Sequence, residues 1–128
     1  MNENASKLTI ELAKTLMSTM QEQFPGWQRA FIRFEASDDH HGCNGSYVTN
    51  EGVFLLDVFK LKNLFTKINS LGVELREALT NQNKKFCVFL LSVDSAFDFN
   101  FDYEWKDKTK WKITKVNGAS GIPAGIKL

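Results

Sequence analysis

Few cysteines, no long apolar run and no catalytic signature together narrow what this 128-residue chain can be. The two cysteines, Cys43 and Cys87, are too few for a disulfide framework. No apolar stretch approaches the ~20 residues of a membrane span. The opening MNENASKLTIELAK has no basic segment followed by an apolar one, so no secretory signal and a cytoplasmic location are expected. There is no glycine-rich phosphate loop, no nucleophile elbow, no HExxH and no paired CxxC. A formal net charge of +1 gives no general attraction to nucleic acid or membrane, and neither is an expected partner. No cofactor is expected either.

What the chain has is a well-stocked core. The hydrophobic fraction is 43% and the charged fraction 24%, as in ordinary globular domains, and the length fits one domain over residues 1–128. Residues 5–23 read as a helix because Leu8, Leu12, Leu16 and Met20 recur every four positions, with Asn4 or Ser6 as its cap. Pro25-Gly26 ends it. Residues 27–36 read as a strand. SDDHHGCNGS reads as a loop, since Asp, Asn, Gly and Ser dominate it. A hairpin is expected around Asn50-Glu51-Gly52. Residues 58–80 carry the clearest helical stripe, from Leu61 to Leu79, with Gly72 as an interruption costing ~1 kcal/mol against Ala. Asn81, Asn83 and the following lysines are expected to end it.

FCVFLLSV, at 86–93, is a continuous apolar run of the kind found in a strand covered on both faces. After a turn at Asp94-Ser95-Ala96, FDFNFDYE alternates strictly, with Phe97, Phe99, Phe101 and Tyr103 on one face. Residues 111–116 are expected to add a lysine-bearing edge strand. Residues 117–128 are Gly-rich and expected to form a loosely ordered tail. Helix, strands, helix, strands is an α+β order. The expectation is a single-domain antiparallel sheet with two main amphipathic helices packed on its aromatic face.

Three segments carry candidate chemistry. Asp98, Asn100, Asp102 and Glu104 share the other face of the alternating strand, either as its solvated side or as an acidic ridge for a basic protein. Trp105 follows directly, an aromatic of the type found at interface hot spots or closing a core. Asp38 and Asp39 form a second acidic patch beside His40, His41 and Cys43, whose side-chain types also suit a metal-binding or hydrolytic site. Charge is unevenly spread as well. Residues 1–104 carry a net −4, while residues 105–128 carry six lysines against one aspartate, a net +5. Lysines alternating near Trp105 and Trp111 are compatible with a nucleic-acid-binding module. They are equally compatible with a protected sheet edge.

The order of these segments resembles the YezG-like immunity proteins of bacterial toxin systems. The resemblance rests on a helix leading through Pro25-Gly26-Trp27 into a strand, on the helix ending LGVELREAL, and on the apolar strand, turn and FDFNFDYE that follow. It is tightest over residues 58–104. Where family members often carry Gly in the last turn, this chain has Ser95-Ala96, and its lysine-rich end has no counterpart. The resemblance implies a cognate inhibitor in contact-dependent inhibition and related systems. Such a protein has no catalytic residues and binds a toxin domain, expected to be a nuclease with a basic groove. The partner-binding residues expected on this reading are Asp98, Asp102, Glu104 and Trp105, with Asp38 and Asp39 second.

Overall fold

Helix α1 spans Glu3–Gln23 and is capped by Asn2, whose Oδ1 accepts the Ala5 N–H at 2.7 Å. The cap therefore lies ahead of both Asn4 and Ser6, which are the second and fourth residues of the helix. The structure, a computed structural model, describes residues 2–80 and 84–128. Helix α2 spans Lys62–Ala78. Its start is later than the stripe implied, because Asp57 Oδ1 accepts the Phe59 and Lys60 N–H groups and turns the chain first. It closes on Leu79, and Asn81 and Asn83, expected to end it, lie outside the described residues. The helices run antiparallel: Asn2 Nδ2 donates to the Ala78 carbonyl at 2.7 Å, and Glu11 meets Lys67 at 3.1 Å.

Five antiparallel strands form one sheet in the order β3-β2-β1-β4-β5. They are β1 (Arg29–Ala36), β2 (His41–Thr49), β3 (Gly52–Leu55), β4 (Val88–Asp94) and β5 (Phe99–Glu104). Both helices pack on one face. Leu12, Leu16, Met20, Leu64, Phe65, Ile68 and Leu75 meet Ile32, Phe34, Phe89, Leu91 and Val93 there. Phe34 stacks on Phe89 at 5.1 Å and meets Phe86 edge-on at 6.4 Å. Burying one such ring is worth roughly 1.5–3 kcal/mol. The fold is thus α+β, with the aromatic cluster between helices and sheet.

Two segments differ from the sequence reading. The loop expected across SDDHHGCNGS shrinks to a turn, since β2 begins at His41 and pairs with β1 as far as Arg29↔Val48. Its glycine is a packing requirement: a Cβ on Gly45 would lie 2.4 Å from the Phe31 carbonyl oxygen and 2.8 Å from Leu56. The second difference is the C-terminus. Residues 111–116 form no strand; they cross the other face of the sheet. Ile113 is buried there with Phe31, Val48 and Leu90, flanked by Trp111 and Ile126. Gly121 and Pro123 are buried too, and the Gly121 and Ala124 N–H groups donate to the Thr114 and Lys112 carbonyls, both at 2.9 Å. The residues expected to be loosely held form a strap that makes β1 and β4 internal on both faces.

A candidate protein-binding face at strand β5

Strand β5 alternates as its sequence does. Pairing of Asn100, Asp102 and Glu104 with Ser92, Leu90 and Val88 puts the polar row on the strap side. Phe101 meets Phe89 at 5.2 Å and Tyr103 meets Phe86 at 5.4 Å on the helix side. Asn100, Asp102 and Glu104 share that face and Asp98 precedes the strand; the four do different things. Asp98 is exposed, and its N–H donates to Asp94 Oδ1 at 3.1 Å. Asp102 is half-buried and accepts Asn100 Nδ2 at 3.1 Å. Glu104 is committed locally: its Oε2 accepts the N–H groups of Trp105, Lys106 and Asp107 at 3.0–3.2 Å. Those bonds, led by the one from Asp107, hold its carboxyl below the usual range, with Lys110 adding to the effect. Through Oε2, Glu104 shapes the turn into the strap. Trp105 is 41% exposed, with one edge on Phe86 at 6.3 Å.

Asp38 and Asp39 do not join this row. They sit in the turn between β1 and β2, and the register puts that turn at the sheet end opposite Asp98. Asp38 pairs with Arg76 Nη1 at 3.3 Å, and Asp39 accepts the Ser37 hydroxyl at 3.0 Å. His40 Nε2 lies 3.8 Å from Asp39 Oδ2, and both histidines line a polar cleft with Asp38, Asp39 and Arg76, which Cys43 does not join. His40 lies on the turn, His41 opens β2, and Cys43 packs against the helix-side core. Burial pushes the Cys43 thiol up to about 12, so it stays protonated and poorly nucleophilic near neutral pH. Among the described residues no three His, Cys, Asp or Glu side chains group closely enough to hold a metal ion. Trp111, a stacking candidate on the nucleic-acid reading, lies half-buried against Phe31 and Leu90.

Phe97 and Phe99, expected on the aromatic face beneath the helices, are exposed, at 56% and 43%. With Ile10 (44% exposed), Ala13 and Met17 of α1 they line an open apolar groove of about 480 Å³. Phe97 holds φ 66°, closing the turn where its N–H donates to the Asp94 carbonyl at 3.0 Å. That left-handed conformation suits glycine and is a genuine outlier for a bulky residue. A large ring is thus held in solvent on strained backbone, next to Asp98 and just ahead of β5. A second apolar group, Phe54, Leu55, Val58 and Phe59, is exposed at the far edge of the sheet, where Lys115 Nζ lies 5.8 Å from the Phe54 ring and Asp57 and Lys60 flank Val58 and Phe59.

No protein-family model and no curated protein sequence matches this chain. No helix among the described residues is long and apolar enough to cross a membrane.

Proposed function

We propose that this domain is an immunity protein that neutralises a bacterial toxin domain by forming a stoichiometric complex through the β5 side. The observation that carries the reading is the proximity in one short segment of exposed Phe97 and Phe99, with Ile10 across the groove, to the carboxylates of Asp98, just ahead of β5, and Asp102, within it. Aromatic anchors over an apolar groove supply affinity, and adjacent charge sets encounter rate and orientation. A toxin whose nucleic-acid groove is basic suits that charge. The resemblance of residues 58–104 to YezG-like immunity proteins supports the same assignment. On this reading the chain carries no catalytic residues.

The test is co-expression with the toxin domain encoded immediately beside its gene. Growth of toxin-producing cells should be restored by the native chain and by Phe59→Ala, which alters the remote apolar group. Rescue should fail with Phe97→Ala/Phe99→Ala. Full rescue by that double variant, or none by the native chain, contradicts the proposal.

A further inference from the structure

β5 is an edge strand with an open side. The Asp94 N–H donates to the Asp98 carbonyl and the Cys87 N–H to the Glu104 carbonyl, so even-numbered residues of β5 turn their main-chain groups toward β4. By the alternation of an antiparallel ladder, Phe99, Phe101 and Tyr103 turn theirs the other way. Among the described residues no hydrogen bond reaches those outward N–H and C=O groups. Edge strands are ordinarily blunted by Lys, Pro, a bulge or a covering segment. β5 contains neither Lys nor Pro, pairs with β4 in unbroken register from Val93↔Phe99 to Val88↔Glu104, and is left uncovered by the strap, which lies over the face of β1 and β4. At the opposite edge, β3 is only four residues long, and Val53 lies against the strap.

We propose that β5 accepts an added strand from the partner, an extended segment in which apolar and basic residues alternate. This rests on the immunity reading and specifies its binding mode. The two faces of β5 dictate the occupant. Side chains of an added strand that point to the helix side enter the groove of Ile10, Met17, Phe97 and Phe99. Those that point to the strap side lie beside Asp98, Asn100 and Asp102, where Lys or Arg is favoured. A second copy of this chain is a poor occupant, because antiparallel pairing centred on Phe101 brings the two carboxylate rows together.

The probe is an eight-residue peptide alternating Lys and Val, with a Glu-Val peptide as control, titrated into the full chain and followed by amide NMR. The Lys-Val peptide should give saturable shifts confined to β5 and the groove, and slow the hydrogen exchange of the Phe99, Phe101 and Tyr103 amides. Added salt should weaken it, and the Glu-Val peptide should not bind. Phe99→Pro, which removes one outward N–H, should weaken the peptide at least about tenfold more than Phe99→Ala, as expected when a main-chain bond is lost and its partner left unpaired. No saturable shift, shifts elsewhere, equal binding of both peptides, or self-association through β5 would overturn the proposal. Since no toxin is present, failure here alongside successful growth rescue removes the strand-addition mode alone.

Discussion

Arg33 reaches across the sheet to the carbonyls of the strap, its Nε donating to Lys110 O at 2.7 Å and its Nη2 to Lys108 O. The guanidinium is buried, and its remaining ion pair is with Glu35 at 3.5 Å. The fork of donors suits two carbonyls at once, which a lysine ammonium does not reproduce. Arg33→Lys and Arg33→Ala should each cost about 2 kcal/mol in urea unfolding, since bonds to a charged donor are lost. Limited trypsinolysis should then cut within residues 106–115 faster than in the native chain. Unchanged proteolysis would show that the apolar contacts of Ile113 alone hold the strap.

Gly72 lies directly against Phe34. A Cβ there would be 2.6 Å from Cε1 of a ring that is itself fully buried between Phe86 and Phe89. Helix propensity favours Gly72→Ala by ~1 kcal/mol, but overpacking costs ~1–3 kcal/mol. The packing term should win, and thermal unfolding should show Gly72→Ala less stable than the native chain.

Phe97→Gly relieves a left-handed backbone and removes an exposed ring. It should raise or preserve stability, by up to about 1 kcal/mol, while weakening the partner complex. Opposite signs in unfolding and binding experiments mark a residue kept for contact; a loss of stability would mean that the ring supports the fold.

Burial pushes the Cys43 thiol from an ordinary 9.0 to about 12, and the Tyr103 hydroxyl from 10.0 to about 12. The folded state holds these protons more tightly than the unfolded one. Their contribution is therefore fully present below about pH 9 and is lost progressively as pH rises toward about 12. Urea midpoints should fall through that window, and less steeply in Cys43→Ala/Tyr103→Phe. An equal fall in both proteins would assign the alkaline loss to other groups.

The period-2 alternation of FDFNFDYE made β5 and its two faces legible, and the four-residue stripe did the same for α1. β2 was hidden because Gly42, Asn44 and Gly45 look like loop residues, whereas the close approach of the Phe31 carbonyl demands Gly45. The strap was hidden because side chain to backbone bonds from Arg33 and Asn44 hold it, and these leave no periodic pattern. The acidic row was visible, but Glu104's capping of the next turn depends on where residues 105–107 go. Alternation puts Phe97 and Phe99 on the same face as Phe101 and Tyr103 but does not say how far the helices cover that face. The exposure of the first two follows from Phe97 lying in the turn ahead of β5 and Phe99 opening a strand at the sheet edge, a property of sheet order that local pattern does not carry.

Calorimetry of the purified chain against the toxin domain encoded beside its gene tests the central claim most directly, with Asp98→Lys/Asp102→Lys as the comparison. The account predicts a one-to-one complex for the native chain. It predicts affinity at least about tenfold weaker for the charge-reversed variant, whose unfolding midpoint should match the native one because neither carboxylate is fully buried. Equal affinity of the two proteins, or no complex with the native chain, would contradict it.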